Sequence, residues 1–318
     1  MSTKEKKILI VTGEASGDLH GSNVAKALRD LSPRVNLFAM GGEKLRLAGA
    51  EIVADSSSLS VVGITEVFAR LRTILRTLAF LKSFLRQEKP DLVVLIDFPD
   101  FNMRLARAAK KLGVPVLYYI SPQVWAWRSG RVKALARVVQ KMAVIFPFEA
   151  PLYEAAGVPV EFVGHPLMDV LENWEAGKKE NGKQEFGGKP LITLLPGSRG
   201  KEVSSLLPEM IRAAKILKEK WPETQFLLPL ASTIGREEVQ EFIAGFPALT
   251  IVEGKTYEAI SAADLAIVAS GTATLETALL GKPMVIVYRV SSPSYWIGRM
   301  LIRVKCIGLA NIVAGKKV

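Results

Sequence analysis

Charged residues stand at or directly after the ends of apolar, strand-like runs of this sequence. Glu14 follows "KILIVTG", Asp97 ends "DLVVLID", and Arg199 lies in "PGSRG" after "LITLL". Ligands of open α/β sheets bind outside the carboxyl ends of the strands, so these positions are candidates for chemistry. Glu14 suits sugar hydroxyls better than phosphate. Asp97 has no local capping role that we can assign, and a carboxylate there is suited to act as general base for a hydroxyl.

Two strand-to-helix turns combine glycine with small polar residues. They contain Gly197 and Ser198 before Arg199, and Ser270, Gly271 and Thr272 after "DLAIVA". Backbone N–H groups at such a helix start can hold a diphosphate, although an ordinary helix entry explains the second turn as well. Glu276, one turn further on, can accept both hydroxyls of a ribose. The G-x-G-x-x-G spacing is absent, so NAD binding is not indicated.

Two further carboxylates near these turns are interpreted as helix caps. Asp18 stands at the start of the helix that follows the first strand, and a carboxylate is favourable there. Asp100 follows a proline turn just before a helix predicted to begin at Phe101. Neither residue is therefore included among the candidates for catalysis.

The segment "YYISPQVWAWRSGRVKALAR" is unusually aromatic and basic for a loop. It contains Trp125, Trp127 and Arg128 within four residues. The tryptophans either fill a core between two domains or stack on sugar rings with arginines near phosphate, and the sequence leaves both interpretations open.

Two helical segments are both apolar and basic. The segment 66–86 carries Val67, Phe68, Leu71 and Leu75 at helical spacing, with no acidic residue after Glu66. The second segment, 294–305, contains Trp296 and has the same character. One interpretation is a core helix with a basic solvent face. The other is a helix that lies in a membrane interface, which needs a broad apolar surface beside cations.

The elements that must position these residues are strands alternating with amphipathic helices, a pattern typical of a parallel sheet covered on both faces. The alternation predicts one Rossmann-like domain over 1–170 and another over 191–318, joined by a charged, glycine-containing linker over 171–190. The predicted fold class is α/β, GT-B, with two Rossmann-like doubly wound domains facing each other across a cleft. Some epimerases and periplasmic binding proteins fit this description too, so fold alone does not choose a function.

The composition indicates which classes of partner the protein can bind. The net charge of +11 favours anionic partners, but the charge blocks are short and no nucleic-acid-binding motif occurs. Nucleic acid is therefore not expected. One cysteine, Cys306, fits a cytosolic setting. The two histidines, His20 and His165, lie far apart in the sequence, which makes a zinc site improbable. No apolar run reaches the roughly 18 residues of a membrane span.

Taken together, the motifs resemble one family, lipid-A-disaccharide synthase. The matching stretches occur in family order: "GEASGD" (13–18), "IDFPDFN" (96–102), "SPQVWAWR" (121–128), "FVGHP" (162–166), "LLPGSRGKEV" (194–203), "SGTATLE" (270–276) and "NIVAG" (311–315). The resemblance covers nearly the whole chain. It is specific as a set, whereas singly only "SPQVWAWR" and "LLPGSRG" would be persuasive.

The resemblance implies an inverting glycosyltransferase. The enzyme would move 2,3-diacylglucosamine from UDP to the 6-hydroxyl of 2,3-diacylglucosamine 1-phosphate, making a β-1,6-linked disaccharide. It would need no metal or other cofactor and would sit at the inner face of the cytoplasmic membrane. Two rivals remain: another nucleotide-sugar enzyme of this fold, such as a UDP-N-acetylglucosamine 2-epimerase or a lipid-linked glycosyltransferase, and a non-catalytic lipid-binding form.

The resemblance also assigns roles. Asp97 looks like the family's catalytic aspartate, Arg199 like its essential arginine, Asn311 like its nucleotide-side asparagine, and Glu14 matches its acidic first loop. Family members continue past the "N-x-x-A-G" motif into helices that in some members exchange between subunits. Since the sequence stops at Val318, we expect a truncated second domain, which would put activity and a homodimer in doubt.

Overall fold

The computed structural model describes residues 5–56, 66–122, 130–176, 186, 190–231, 233–289 and 308–316. The chain divides into two compact units, Met1–Asp169 and Val170–Val318. Each unit contains one parallel sheet with helices between its strands. Both units therefore have the βα alternation that the sequence predicts.

The first unit contains a parallel sheet of seven strands in the order β3-β2-β1-β4-β5-β6-β7. Its strands are β1 (Lys7–Val11), β2 (Asn36–Gly41), β3 (Glu51–Asp55), β4 (Leu92–Ile96), β5 (Val116–Tyr119), β6 (Lys141–Val144) and β7 (Val160–Phe162). Its helices are α1 (Ala15–Leu31), α2 (Glu43–Leu47), α3 (Glu66–Glu88), α4 (Pro99–Lys111), α5 (Gly130–Ala136) and α6 (Ala150–Glu154), and α7 (Pro166–Ala176) starts in this unit.

Helices cover both faces of this sheet because its central strands are apolar on both sides. Leu9 and Val11 of β1 pack into one core with α3 and α4, while Ile8 and Ile10 pack into a second core with α1 and α2. Alternate residues of a strand point to opposite faces, so a continuous apolar run such as "KILIV" serves two cores at once.

The second unit contains a parallel sheet of five strands in the order β10-β9-β8-β11-β12. The strands are β8 (Leu191–Leu195), β9 (Gln225–Leu230), β10 (Leu249–Glu253), β11 (Leu265–Ala269) and β12 (Met284–Val287). The helices are α8 (Gly200–Lys220), α9 (Arg236–Ile243), α10 (Thr256–Ala262), α11 (Thr272–Leu279) and α12 (Leu309–Ala314). Buried residues of α8 and α10 form separate cores with this sheet.

The predicted linker differs from the structure at its start. Residues 171–176 continue α7, whose Leu171 is buried and whose Trp174 donates a hydrogen bond through Nε1 to Glu258 Oε1 at 3.2 Å. These contacts explain why a charged segment stays helical there. The residue range 177–185 of the predicted linker lies outside the described part of the chain.

Across the described ranges, no helix combines the length and apolar character needed to cross a membrane.

Candidate functional site

In the first unit, the strand order of the sheet reverses between β1 and β4, which makes this the topological switch point of the sheet. From β1 the chain adds β2 and β3 on one side, and then returns to place β4 on the other. Such a switch point leaves a crevice at the carboxyl ends of the two strands, where open α/β sheets bind ligands. The residues that follow β1 and β4 are Gly13 and Glu14, and Asp97 and Phe98. Two predicted site residues, Glu14 and Asp97, are thereby brought to one edge.

Asp97 lies in a turn with an uncommon backbone. Its φ is 47° and that of Phe98 is 46°, both in the left-handed region that residues other than glycine rarely adopt. The carbonyl oxygen of Asp97 accepts hydrogen bonds from the hydroxyl of Tyr118 at 2.6 Å and from Nδ2 of Asn102 at 2.7 Å. Tyr118 and Asn102 are fully buried. The core therefore holds the turn, and the half-buried Asp97 side chain starts from a fixed backbone.

The loop after β1 is packed directly against this turn. A Cβ on Gly13 would come within 2.2 Å of the ring of Phe98, so only glycine allows the two loops to approach this closely. Glu14 follows as the exposed N-cap residue of α1. The contact explains how a glycine in "VTGE" brings the two predicted carboxylates to the same crevice.

Two carboxylates interpreted as caps of their own helices act differently. Asp18 lies inside α1 and accepts backbone hydrogen bonds from Gly42 at 2.7 Å, Lys44 at 3.0 Å and Leu45 at 3.3 Å. It therefore caps α2, not α1. Asp100 lies in the first turn of α4, after Pro99, and forms an exposed ion pair with Arg131. The cap assignments were wrong, because each carboxylate bonds a partner outside its own helix.

The switch point of the second unit lies between β8 and β11, since β9 and β10 extend the sheet on one side and β11 and β12 on the other. After β8, Gly197 has a φ of +116°, and a Cβ there would meet Oε2 of Glu202 at 2.5 Å. Oε2 of Glu202 accepts from the backbone N–H of Ser198 at 3.3 Å, and Oε1 pairs with Nη1 of Arg199 at 3.3 Å. The Arg199 side chain is 68% exposed. The turn thus presents its cation to solvent at the predicted edge.

The turn after β11 forms the other side of this switch point. Ser270 continues the pairing with β12 through its backbone, and the exposed Gly271 and Thr272 open α11. The first-turn residue Thr274 uses its hydroxyl to donate to the carbonyl of Gly271 at 2.8 Å. The helix entry is therefore ordered by a local hydrogen bond, with Gly271 and Thr272 accessible to a ligand.

Glu276 is half-buried one turn into α11. Its Oε1 accepts a hydrogen bond from the hydroxyl of Tyr257 at 3.3 Å. Burial raises the pKa of the Glu276 carboxyl above its ordinary value, while the Tyr257 hydrogen bond acts in the opposite direction. The half-buried Asn311 lies on α12, which packs against α11 through a bond from the backbone N–H of Ala310 to Oγ1 of Thr274. The structure thus places Asn311 on a helix beside the one that carries Glu276.

A cavity of about 790 Å³ opens beside Ser270 in the second unit. It lies between the first turns of α8 and the ends of β11 and β12, and Lys201 and Arg289 contribute cations to its wall. Arg289 also pairs with Glu209. In the described segments of the chain, no cluster of three or more histidine, cysteine or acidic side chains is arranged to hold a metal ion.

Several predicted residues cannot be placed in a site. Trp125, Trp127, Arg128 and Trp296 lie outside the described residues, and Val67 and Phe68 belong to α3 without described side chains. Leu71 and Leu75 of the same helix are exposed. Sequence reasoning gave no site role to Tyr118, Asn102 or Tyr257. Tyr118 and Asn102 could have been found, because each is a polar side chain on an otherwise apolar strand or helix face.

Comparison with known proteins places the chain among relatives over nearly its whole length. A family model described as lipid-A-disaccharide synthetase matches residues 8–318. A lipid-A-disaccharide synthase of Syntrophus aciditrophicus is 52% identical over 98% of this chain and 82% of its own length. One of Geobacter metallireducens is 48% identical with the same coverage of both chains.

Solved structures share the fold at low identity. The Staphylococcus aureus MnaA–UDP co-structure has a TM-score of 0.65 at 14% identity, covering 98% of this chain and 86% of that one. A UDP-GlcNAc 2-epimerase from Neisseria meningitidis bound to UDP-GlcNAc has a TM-score of 0.64 at 16% identity, covering 97% and 90%. With the two parallel sheets, these likenesses confirm the predicted fold class, an α/β protein of GT-B type with two Rossmann-like domains.

Proposed function

The chain belongs to the lipid-A-disaccharide synthase family, and we propose that it catalyses the reaction for which that family is named. It is a glycosyltransferase that joins a 2,3-diacylglucosamine unit from a UDP donor to 2,3-diacylglucosamine 1-phosphate and releases UDP. The observation that carries this proposal is the family match over residues 8–318. The epimerase alternative is not favoured, because structural likeness below 25% identity supports the fold alone.

The acceptor-side chemistry is assigned to the crevice between β1 and β4. The carboxylate of Asp97 takes the proton of the acceptor 6-hydroxyl while that oxygen bonds to the anomeric carbon of the donor. The acceptor oxygen attacks from the face opposite the diphosphate. The bond from the anomeric carbon to the diphosphate breaks with its electron pair leaving on UDP, so the configuration at that carbon inverts. The buried hydrogen bonds to the Asp97 carbonyl support this role, because they fix the backbone from which the base projects.

Glu14 is assigned to the sugar rather than to proton transfer. It is exposed at the N-cap of α1, beside the Asp97 turn, and a carboxylate accepts hydroxyl hydrogen bonds well. Its role is to orient the sugar at this crevice.

The donor-side chemistry is assigned to the crevice between β8 and β11. The guanidinium of Arg199 offers a rigid fork for phosphate oxygens, which suits the charge that develops as UDP departs. The turn Ser270–Thr272 supplies backbone N–H groups at the start of α11. Glu276 accepts the ribose hydroxyls, and Asn311 of the neighbouring helix contacts the nucleotide. Because the cationic charge comes from the protein, we propose that catalysis proceeds without a metal ion.

We also propose that α3 attaches the enzyme to the inner face of the cytoplasmic membrane. Leu71 is 52% exposed and Leu75 is 45% exposed, one turn apart on the helix. Arg72 and Arg76, also exposed and one turn apart, lie next to them. Exposed leucine beside arginine suits an interface between acyl chains and anionic head groups. The acyl chains of both substrates would lie in such a membrane.

A coupled assay tests the proposed reaction. Purified protein is mixed with UDP-2,3-diacylglucosamine and 2,3-diacylglucosamine 1-phosphate in detergent, with and without EDTA, and UDP release and product mass are followed. We expect acceptor-dependent UDP release that EDTA does not reduce, with a product of the mass of the disaccharide 1-phosphate. Epimerisation of UDP-N-acetylglucosamine without acceptor would favour the epimerase alternative, and lipid binding without UDP release would favour a non-catalytic protein.

A further inference from the structure

We propose that Tyr257 is a positioning residue for nucleotide recognition: its hydroxyl holds the Glu276 carboxylate ready to accept the ribose hydroxyls of UDP. The inference rests on the proposed donor-side role of Glu276. It extends that role to a residue outside every motif singled out in the sequence, and it identifies a group that orients the carboxylate and favours its ionised form.

The contacts of Tyr257 fix its hydroxyl at Glu276. The hydroxyl donates to Oε1 of Glu276 at 3.3 Å. Trp174 of α7 packs edge-on against the Tyr257 ring, with ring centroids 5.8 Å apart and an interplanar angle of 62°. The indole N–H of Trp174 in turn donates to Glu258, the residue after Tyr257. The tyrosine ring is thus held by a neighbour that is itself anchored to α10, so its hydroxyl has little freedom to turn away.

The charge state of Glu276 depends on this contact. Burial raises the pKa of the Glu276 carboxyl, and the hydrogen bond from Tyr257 lowers it. Among the described elements, those in closest contact with α11 are α10, α12, β11 and β12. Within these four elements, α12, β11 and β12 contain no ionisable side chain, and α10 supplies the titratable residues Tyr257 and Glu258. Burial and proximity to Glu276 raise the pKa of Tyr257, which therefore remains a donor at neutral pH.

An ionised carboxylate is what a ribose requires. It offers about four lone-pair sites on two oxygens, whereas the protonated acid converts one oxygen into a donor. Tyr257 uses one site on Oε1, which leaves the remaining sites for the 2′- and 3′-hydroxyls. Tyr257→Phe would preserve the packing against Trp174 but leave the Glu276 carboxylate less fixed and easier to protonate.

Calorimetric titration with UDP and with 2′-deoxy-UDP tests the inference. Both nucleotides are titrated into the wild-type chain, Tyr257→Phe, Glu276→Gln and the control Tyr153→Phe, between pH 5 and pH 8. Tyr153 is a fully buried tyrosine of the first unit, whose hydroxyl lies near Ser121 and Glu149. It provides the same chemical change away from the nucleotide.

We expect Tyr257→Phe to weaken UDP binding about threefold to tenfold at pH 7, as for one lost hydrogen bond, and to weaken 2′-deoxy-UDP binding less. The pH below which UDP affinity falls should also rise, because the Glu276 pKa is higher without the donor. Tyr153→Phe should bind both nucleotides like the wild type. If Tyr257 had only a structural role, Tyr257→Phe would weaken the binding of both nucleotides by the same factor and leave the pH dependence of binding unchanged.

Two outcomes overturn the proposal, and they are distinguishable. If Glu276→Gln discriminates between the two nucleotides as well as the wild type does, the ribose role of Glu276 fails and the inference fails with it. If Glu276→Gln loses discrimination while Tyr257→Phe keeps both discrimination and the wild-type pH dependence, the inference alone fails.

Discussion

The Asp97 turn is the strongest single-residue feature of the molecule, because an uncommon backbone and fully buried donors meet at one carbonyl. Left-handed φ values at two successive residues, Asp97 and Phe98, cost free energy unless the surroundings stabilise them. Tyr118 and Asn102 supply that stabilisation from inside the core. Function at Asp97 should therefore respond both to its own carboxylate and to the donors beneath it.

Replacing Asp97 by asparagine tests the contribution of its carboxylate to turnover. Asp97→Asn keeps the size of the side chain but removes its basicity, so turnover should fall by about 100-fold or more. Asp100→Asn is the matched control, because Asp100 stands three residues later, is exposed and pairs with Arg131 at the surface. Steady-state UDP release measures both variants. Normal turnover in a folded Asp97→Asn protein would remove the base assignment.

Removing a donor beneath the turn tests preorganisation. Tyr118→Phe deletes the hydroxyl that donates to the Asp97 carbonyl, and should lower the free energy of unfolding by about 0.5–1.5 kcal/mol. It should also lower kcat more than it raises KM, because the base is less fixed while substrate contacts remain. Urea unfolding and steady-state kinetics supply the two readouts. Tyr153→Phe, the same chemical change at another buried tyrosine of the first unit, should leave kcat unchanged, and an unchanged kcat in Tyr118→Phe would argue against preorganisation.

Arg199 tests the proposal that protein charge replaces a metal. Arg199→Ala should lower turnover by about 100-fold or more, the size typical of a lost electrostatic stabiliser. Arg199→Lys keeps the charge but loses the bidentate fork, so its turnover should lie between those of the wild type and Arg199→Ala. Arg212→Lys is the control for the lysine variant, since Arg212 lies on α8, which Arg199 precedes, in a similar exposed pair with Glu209. Activity of Arg199→Ala equal to that of the wild type would refute the assignment.

The sequence predicts the place of a residue where chain position alone sets it, while the roles of the site residues stay predictions. Glu14, Asp97, Arg199 and Ser270 follow apolar runs, and a parallel sheet brings strand exits of this kind to one edge. The cap assignments of Asp18 and Asp100 failed because both side chains bond partners more than 20 residues away. Local sequence does not encode such contacts, and the same holds for Tyr257.

The elements show a similar division between local pattern and tertiary context. Helix α10 spans Thr256–Ala262 and strand β9 spans Gln225–Leu230, as their patterns predict. The local pattern does not predict β3, because its residues "EIVAD" form an edge strand with an exposed residue at each end. An edge strand lacks the continuous apolar run that marks a central one. The short helix α2 is likewise not predicted from local sequence, because the carboxylate that caps it, that of Asp18, lies on another helix.

Helix α3 combines a core face with an exposed apolar and basic face. Leu78, Leu81 and Leu85 are buried in the first unit, whereas Leu71 and Leu75 are exposed. The buried leucines anchor α3 in the core of the first unit, and the exposed leucines lie outside that core. Membrane binding by the exposed part stays a prediction.

Charge introduced on the exposed part of α3 tests membrane binding. The double variant Leu71→Glu/Leu75→Glu should bind anionic vesicles at least about tenfold more weakly, because two side chains lose their apolar contact with lipid. Turnover on detergent-solubilised substrates should remain. Leu31→Glu/Leu47→Glu is the control, since those leucines are 84% and 77% exposed in the same unit. Vesicle co-sedimentation compares the pairs, and equal losses in both would indicate a general effect of charge rather than a lipid-binding helix.

The two units contain different groups whose pKa is shifted by burial: a histidine in the first unit and a carboxyl in the second. Both histidines of the sequence, His20 and His165, lie in the first unit. Burial, with a smaller effect of the neighbouring His20, lowers the pKa of His165 to about 4. Its Nδ1 accepts the backbone N–H of Leu167 at 3.1 Å, a bond that protonation at Nδ1 would abolish. In the second unit, burial instead raises the pKa of Glu276.

Acidification from pH 7 to pH 5 should therefore act on the two units with opposite sign. A histidine with a lowered folded pKa binds protons preferentially when unfolded, so the first unit loses stability as pH falls below about 6.5. A carboxyl with a raised folded pKa stabilises the fold at low pH and loses that contribution as pH rises, so the second unit should hold or gain stability. Hydrogen exchange, corrected for intrinsic rates, should show falling protection in peptides from β1–β7 but not in β8–β11. His165→Asn, whose amide oxygen can replace Nδ1 as acceptor, should flatten the response of the first unit; parallel loss of protection in both units would contradict the assignment.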